Sequence, residues 1–556
     1  MNEWDIIGDK KYRYTPSISN SIQVFALCPP IRKVLPRIVC RYQTMMLWGP
    51  TTIMFSLLIP RTCRAFTAEV SRIRLGHRLL TASFATRVDA RTTSISDHHV
   101  ILKRTRQSRA FREGNPLVFS GAIAYTTSET PIDMADFVQV SVESDKSQGA
   151  KTSKAKEYKN LAAPKPDSPL QLIGWGVYNP ESMYRVRILC HATTNVPLAN
   201  KVKECVTSEQ ALSIIMVDRF QNAIAVRQAL GLPSALTDTY RLVNGEGDGV
   251  SGLAVDIIGG KVAVVMASAA WCELWKDHII DSLKSAFLRH AVYRDSPLDI
   301  VWKTTPARLA QDGLKLDAIE YNQEEKPDDR PIISSESGIK YTTYPYDKGQ
   351  KTGFYCDQRE NKYQMAQLCE GKRVLDLCCY HGGFALTAKI IGKATTCVGV
   401  DSSQDAIDIC RTNEALNGIS EGIEFVRADI SQFMRDANSA GTTFDVIILD
   451  PPKLAPSVND LDRAVRKYHS LNRDALKLFP PNGGLFMSCT CSAAMTQKDG
   501  GQLFLQTVQQ AALSAGRQVT LLRESGAAAC HTLSPASFPA GAYLTAALFH
   551  VSAIDE

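Results

Sequence analysis

Two cysteines and one carboxylate in the C-terminal third of the chain could carry out covalent chemistry together. Cys489 and Cys491 end one apolar run, and Asp450, followed by Pro451 and Pro452, ends another. A thiolate can add to an electron-poor carbon, and a carboxylate can move the proton that such an addition requires. The two prolines would hold the carboxylate in a rigid, extended turn. The cysteines would share one face if their strand continued through both, so either could be the nucleophile.

Glycines and acids upstream could hold a nucleotide-type cofactor. The apolar run that begins at Val374 contains Asp376 and meets a tight turn at Gly382 and Gly383. The next apolar run ends in Asp401, 19 residues after Gly382. Glycines let the backbone approach a ligand, and an acid after the second strand takes the ribose hydroxyls. The full Gly-x-Gly-x-x-Gly pattern is absent, so the turn alone is a weak indication.

These residues all lie at or just after the ends of strand-like runs, and Asp429 follows a further one. Ligands bind at the carboxyl ends of the strands in doubly wound sheets. The pattern therefore predicts an α/β fold in which the acids and the cysteines face one crevice.

The sequence before this α/β fold predicts smaller α+β regions. Short alternating strands run from Arg112 to His191, interrupted by a polar stretch, Glu143 to Ser168, whose composition is typical of a disordered loop. The predicted elements of the next region are a helix at 212–230, strands at 253–256 and 262–266 joined through Gly259-Gly260, a helix at 271–290, and strands at 299–302 and 339–344. They form a strand–strand–helix–strand–strand unit, with a hairpin at the two glycines.

The first 110 residues have the composition of a targeting leader, with 18 Lys and Arg against 6 Asp and Glu. Basic, acid-poor, Ser/Thr-rich segments are typical of organellar transit peptides. The apolar stretch 44–60 is too short for a comfortable membrane span, and it would suit a signal-peptide core if translation began at Met45 or Met46. We therefore expect a plastid or mitochondrial protein with no membrane segment after leader removal; without a leader it would be cytoplasmic.

The charge balance argues against a basic surface over the whole folded chain, and the cysteine spacing argues against a metal site. The residues after 110 carry 45 Lys and Arg against 51 Asp and Glu, so contact with nucleic acid must come from a local basic patch. The 15 cysteines include no Cys-x-x-Cys pair, so no metal site is expected. Their odd number favours free thiols in a reducing compartment.

The order of the motifs closely resembles one family. The segment Lys351-Thr-Gly-Phe-Tyr-Cys-Asp-Gln-Arg359 precedes the Gly-Gly turn, Asp-Pro-Pro-Lys453 and Thr490-Cys-Ser492. This order resembles the bacterial-type, PUA-containing class I S-adenosylmethionine-dependent rRNA large-subunit methyltransferases that modify cytosine C5. The resemblance implies four parts: a leader at 1–110, a PUA-like RNA-binding β-barrel at 111–195 with a disordered insert at 143–168, a central α+β domain at 196–345, and a Rossmann-like methyltransferase domain at 346–556.

The resemblance also implies roles for individual residues. Cys491 matches the position of the family's nucleophile, with Cys489 as its rival, and Asp450 would bond the cytosine ring. The residues expected to hold S-adenosylmethionine are Asp376, Tyr380, Gly382, Gly383, Asp401, Asp429 and Pro451. Those expected to contact large-subunit rRNA are Gln358, Arg359 and Lys453. His381 departs from the family pattern and puts only details of cofactor contact in doubt.

Three alternatives stay open. The methyl group could go to guanine N7 or uracil C5, although uracil enzymes carry Asn-Pro after the nucleophile where this chain has Ser492-Ala493. The protein could instead be a non-catalytic RNA-binding assembly factor. The oligomeric state is undetermined, with a homodimer as one alternative.

Overall fold

The structure, a computed structural model, describes residues 97–128, 130–143, 170–315, 330–346, 351–533 and 541–553. The described residues belong to one unit of the chain, Val88–Glu556. The leader up to residue 96, with its apolar stretch at 44–60, lies outside the described residues, as does nearly all of the expected disordered insert. No helix in the described ranges is long and apolar enough to cross a membrane.

A six-stranded sheet forms the first folded region, in the order β2-β6-β5-β4-β1-β3. Its elements are β1 (His99–Leu102), α1 (Arg106–Arg112), β2 (Leu117–Phe119), β3 (Ile123–Thr127), β4 (Phe137–Glu143), β5 (Leu170–Tyr178) and β6 (Tyr184–His191). The strands predicted here are present, and Trp175 and Phe137 are buried on one of its faces.

Strand β1 precedes the expected end of the leader at residue 110. It lies inside the range 1–110, yet it pairs antiparallel with β3 and parallel with β4. Val100, Ile101 and Leu102 are almost completely buried. The folded part of the chain therefore begins before residue 110, and the sequence did not reveal this strand because four residues are too few to stand out in a stretch of basic composition.

The next region packs helices on a four-stranded sheet in the order β10-β9-β8-β7. Its elements are α2 (Val196–Lys203), α3 (Ser208–Ala229), β7 (Tyr240–Asn244), β8 (Leu253–Ile258), β9 (Val262–Ala267), α4 (Ala270–Leu274), α5 (Lys276–Leu288), α6 (Ala291–Arg294), β10 (Asp299–Thr304) and α7 (Pro306–Gln311). The predicted hairpin is confirmed: β8 and β9 are antiparallel, and Gly259 and Gly260 have φ of +58° and +59°. Ile258 pairs with Val262 across the loop, and Lys261 N donates to the Ile258 carbonyl oxygen at 3.1 Å. The two glycines are the central residues of that turn, and two successive positive φ angles are what a type I′ turn requires.

The C-terminal region is a seven-stranded sheet in the order β15-β14-β13-β16-β17-β19-β18. The elements that lead into it and form it are β11 (Ile332–Glu336), β12 (Ile339–Thr343), α8 (Arg359–Ala366), β13 (Arg373–Leu377), α9 (Gly383–Ile390), β14 (Thr396–Asp401), α10 (Gln404–Leu416), β15 (Ile423–Arg427), α11 (Ile430–Ser439), β16 (Val446–Leu449), α12 (Leu461–Leu476), β17 (Gly484–Thr490), α13 (Ala493–Gln497), α14 (Gln502–Ser514), β18 (Arg517–Ser525) and β19 (Thr545–Ala553). The first five strands in this order are parallel, and β19 enters antiparallel between β17 and β18. The predicted α/β class is confirmed.

Strand β12 does not join the four-stranded sheet as the sequence suggested. It pairs with β11 in a separate two-stranded sheet. Side chains of α10 and its C-terminal end hold it there: Asn413 Oδ1 accepts from Thr342 N at 2.7 Å, and Asn417 Oδ1 accepts from Lys340 N at 2.9 Å. Side-chain amides of a distant helix thus satisfy backbone groups that a sheet neighbour would otherwise pair, and no local pattern reveals this.

Candidate active site

A crevice of about 1170 Å³ opens at the carboxyl ends of β13, β14, β16 and β17. Strands β14 and β16 lie on opposite sides of β13, so the chain changes direction across the sheet at this point, where doubly wound folds bind ligands. The predicted site residues that line the crevice are Gln358, Tyr380, Gly383, Asp401, Asp429, Asp450, Pro451, Lys453 and Cys491. The fold therefore brings together most of the residues that the sequence singled out.

The turn after β13 follows an unusual backbone path. Cys378 and Tyr380 have φ of +66° and +49°, and Gly382 has φ of +79°. The backbone N–H groups of Cys378 and Cys379 both donate to the carbonyl oxygen of Val400, at 2.9 and 3.0 Å. Left-handed conformations cost non-glycine residues free energy and concentrate at ligand sites. These bonds to β14 hold the turn in that shape.

Gly382 cannot be exchanged for a larger residue without strain. A Cβ atom there would lie 3.0 Å from the ring of Phe425, in a conformation that L residues rarely adopt. The glycine turn that the sequence predicted thus has a steric reason in the ring of Phe425 and the positive φ.

Asp401 is the carboxylate best placed for a ribose. Its two oxygens accept hydrogen bonds from the backbone N–H groups of Tyr380, at 3.1 Å, and Ser403, at 2.9 Å. Each bond uses one lone pair, so each oxygen can still accept a hydroxyl proton from a ligand. These two acceptor oxygens fit the hydroxyl donors of the ribose diol of S-adenosylmethionine, the cofactor that the sequence predicted.

Asp376 supports the turn from behind. It is buried, and its Oδ2 accepts from Ala385 N at 3.0 Å in the first turn of α9. Burial raises the pKa of its carboxyl group to about 7. It does not line the crevice, so in this structure it braces the Gly-Gly turn. Asp429, by contrast, is exposed at the crevice and caps α11 by accepting from Gln432 N at 3.0 Å.

Aromatic rings surround the same turn. The ring of Tyr380 stacks on His381 with centroids 3.6 Å apart, and Tyr355 meets Tyr380 edge-on at 4.8 Å. His381 is buried, and burial lowers the pKa of its imidazole to about 3, so the ring is neutral. His381 also lines the crevice, next to Tyr380. Within the described ranges no His, Cys, Asp and Glu side chains cluster as a metal site.

Asp450 follows β16, on the other side of the crevice. Its Oδ2 accepts from Gln358 Nε2 at 3.1 Å. Burial, and then the nearby Asp357 carboxylate, raise the pKa of Asp450 to about 7. A carboxyl group with this pKa can both accept and release a proton at neutral pH.

The structure separates the two candidate cysteines. Cys489 lies inside β17 and is completely buried, whereas Cys491 lies beyond the end of the strand, is half-buried and lines the crevice. Cys491 Sγ lies 3.9 Å from the carbonyl oxygen of Pro451, so the thiol is next to the Asp-Pro-Pro turn. Burial, and then the charge of Asp450, raise the pKa of Cys491 to about 11. A base must therefore remove its proton before it can act as a nucleophile.

Tyr468 supports the exit of β17 from beneath the crevice residues, and the sequence offered no sign of it. Its hydroxyl lies 2.7 Å from Thr490 Oγ1 and 3.5 Å from Ser492 Oγ. Ser492 Oγ in turn accepts from Ala455 N at 3.1 Å. The exit of β17 and the loop after Asp450 are thus bonded to one another through Ser492, and the buried Tyr468 of α12 bonds to the exit of β17.

The three predicted RNA contacts lie in different surroundings. Lys453 is exposed at the crevice. Arg359 is buried outside the crevice, where its guanidinium bonds to Glu360 at 2.7 Å and contacts Cys530 Sγ at 3.5 Å, so its contacts are internal. Gln358 is also buried and bonds to Asp450, as described above. Arg308 and Lys467 are exposed cations at the crevice that the sequence did not single out, and Lys351, the first residue of the Lys351–Arg359 segment, is also exposed there.

Known proteins resemble the chain in sequence and in fold. Residues 368–523 match the model of a methyltransferase domain. The ribosomal RNA large subunit methyltransferase I of Photobacterium profundum is 34% identical over 379 residues, which cover 68% of this chain and 87% of that protein. The protein of the same name from Shewanella amazonensis is 36% identical, over 59% of this chain and 78% of that protein.

A solved structure shows the same fold. The crystal structure of SMU.776 complexed with SAH superposes with a TM-score of 0.59 at 18% identity, covering 82% of this chain and all of that one. The sequence relationship extends over most of the length of the bacterial proteins. The chain belongs to the ribosomal RNA large subunit methyltransferase I family.

Proposed function

We propose that this protein methylates C5 of a cytosine in large-subunit ribosomal RNA, with S-adenosylmethionine as methyl donor and Cys491 as covalent nucleophile. The observation that carries the proposal is the meeting of Cys491 and Asp450 at the exits of the neighbouring strands β17 and β16, in the crevice that also holds Asp401. Ribosomal RNA is proposed as the substrate because the similar bacterial proteins are named ribosomal RNA large subunit methyltransferases.

The cofactor would bind in the half of the crevice at the carboxyl ends of β13 and β14. Asp401 would accept the ribose hydroxyls, the Gly382-Gly383 turn would let the ligand approach the backbone, and Asp429 lies at the adjacent rim. S-adenosylmethionine supplies an electrophilic methyl group when it is bound. The residues around it supply binding and orientation, and a second group must make the cytosine carbon reactive.

Cys491 and Asp450 make C5 reactive. The Asp450 carboxylate takes the proton from Cys491 Sγ as the sulfur bonds to C6 of the ring, and the ring electrons shift toward N3. Asp450 then gives that proton to N3, which leaves C5 as an enamine-like nucleophile. After methylation, C5 loses its proton to solvent, the sulfur–C6 bond breaks, and the N3 proton returns through Asp450 to the thiolate. The raised pKa of Asp450 suits this alternation.

Exposed cations at the crevice would hold the RNA strand. Arg308, Lys351, Lys453 and Lys467 are exposed cations among the lining residues of the crevice, although the residues after 110 carry a net negative charge. Lys and Arg contacts to phosphate give affinity without reading sequence. The PUA-like identity of the six-stranded sheet, the homodimer and import into a plastid or mitochondrion stay predictions.

Trapping the covalent adduct tests the proposal. Large-subunit rRNA transcribed with 5-fluorocytidine should form a denaturation-resistant adduct with the wild-type protein, because fluorine at C5 cannot leave as a proton does. Cys491→Ala should form none, yet keep its affinity for cofactor and RNA.

The matched control is Cys489→Ala, which removes a buried thiol two residues away and should still form the adduct. A Cys491→Ala enzyme with full activity would instead indicate direct transfer to a ring nitrogen, such as guanine N7. Absence of cofactor binding in the wild type would indicate the non-catalytic assembly factor.

A further inference from the structure

A buried chain of side-chain amides leads from the end of β18 to the catalytic carboxylate. Ser525 Oγ donates to Asn361 Oδ1 at 2.8 Å, and Asn361 Nδ2 donates to Gln358 Oε1 at 2.6 Å. Gln358 Nε2 then donates to Asp450 Oδ2 at 3.1 Å. Gln358 and Asn361 are only 5% and 2% exposed. They stand three residues apart at the start of α8, so the first turn of that helix sets their spacing.

The direction of every bond in this chain is determined by one backbone group. Asn361 Nδ2 also donates to the carbonyl oxygen of Gly526 at 3.0 Å. A backbone carbonyl can only accept, so the NH₂ group of Asn361 must face it, and the network thereby resolves the orientation of this amide. The other hydrogen of that NH₂ group then meets Gln358 Oε1, which leaves the NH₂ group of Gln358 to face Asp450.

A carboxyl oxygen that faces an N–H donor is an acceptor and does not carry the acid proton. Asp450 Oδ2 is in this position. The oxygen left for proton exchange is therefore Oδ1, on a residue that lines the crevice. If the amide of Gln358 were reversed, Oδ2 would have to hold the proton against Gln358 Oε1, and the proton would be withheld from the substrate.

We propose that Gln358, oriented by Asn361, is a positioning residue for Asp450, which confines the transferred proton to Oδ1 and stabilises the carboxylate that forms when the proton leaves. This inference deepens the proposed function and rests on it. It also gives Gln358 a different role from the RNA contact that the resemblance implies, because Gln358 acts through Asp450.

Two substitutions of Gln358 test the proposal with different risks to folding. Gln358→Glu keeps the shape of the side chain but replaces the N–H donor with an acceptor. Gln358→Met keeps a similar length and volume and has no donor, so it avoids a second buried carboxylate. Both should lower kcat about tenfold or more, whereas the KM for RNA and the Kd for S-adenosylmethionine stay within about threefold of wild type.

The pH profile provides the measurement that a purely structural role would not change. The hydrogen bond from Gln358 lowers the pKa of Asp450. Its loss should move the pH limb governed by Asp450 to higher pH in both variants. The matched control is Gln404→Met, since Gln404 Nε2 makes the same kind of bond, 2.8 Å to Asp408 Oδ1, on an exposed helix face. Its kcat and pH limb should equal those of the wild type.

The outcomes separate this inference from the proposed function. Folded Gln358 variants with wild-type kcat and an unmoved pH limb, alongside inactive Cys491→Ala and Asp450→Asn, would refute only the positioning role. Fully active Cys491→Ala and Asp450→Asn enzymes would refute the proposed function, and the positioning role with it.

Discussion

Replacing Asp401 by alanine should abolish most cofactor binding and leave the fold intact. The carboxylate is the acceptor of two backbone N–H groups in the free protein and would be the acceptor of two ribose hydroxyls in the complex. A hydrogen bond to a charged group contributes about 1.5–3 kcal/mol. Loss of both ribose bonds should therefore weaken S-adenosylmethionine binding by at least about 3 kcal/mol, which is roughly 150-fold in Kd.

The cost to the fold should be smaller. Tyr380 N and Ser403 N lose their acceptor, but Asp401 is only half-buried, so water can replace it. We expect the free energy of unfolding to fall by about 1–2 kcal/mol. Isothermal titration calorimetry with S-adenosylmethionine measures the first effect, and denaturant unfolding measures the second.

A matched control comes from the neighbouring helix α11. Asp436→Ala removes an exposed carboxylate that accepts a side-chain amide at 2.8 Å, outside the crevice, and should leave the Kd unchanged. A folded Asp401→Ala protein with wild-type affinity would refute the assignment of the β14 exit to the ribose.

Three further predictions concern the proton, the buried tyrosine and the N-terminal strand. Activity should rise with pH through about 7, because Asp450 must be deprotonated to accept the proton of Cys491. Asp450→Asn should remove nearly all activity. A wild-type rate that does not change between about pH 6 and 8 would contradict the role of Asp450 as the base. Tyr468→Phe loses the hydroxyl bonded to Thr490 and should cost about 1–2 kcal/mol of stability and lower kcat, with unchanged Kd for the cofactor by calorimetry. A chain beginning at Arg104 lacks β1 and should unfold at a lower temperature than one beginning at residue 97; equal melting temperatures would show that β1 is dispensable.

Local sequence was sufficient where a single segment determines its own conformation. The Gly259-Gly260 hairpin and the Gly382 turn were predicted because positive φ angles leave glycine as the favoured residue. The apolar runs of the parallel sheet were predicted because strands buried on both faces have few polar positions. Strand β1 and the pairing of β12 were missed, because a short strand and a side-chain amide from a distant helix leave no periodic pattern.

The sequence by itself determined the chemistry that is present: a carboxylate held by two prolines, a pair of cysteines, and an acid 19 residues after a glycine turn. These residue types and their order identified the fold class and the candidate site. Only the tertiary structure decided which cysteine faces the crevice. Strand β17 pairs with β19 as far as Thr490, so Cys489 is buried inside the sheet. Cys491 follows the end of the strand and lines the crevice. The tertiary structure also decided that Gln358 faces Asp450, since the carbonyl of Gly526 lies 165 residues along the chain from the Asn361 amide that it orients. Hydrogen bonds across such separations are set by packing, and no spacing in the sequence reveals them.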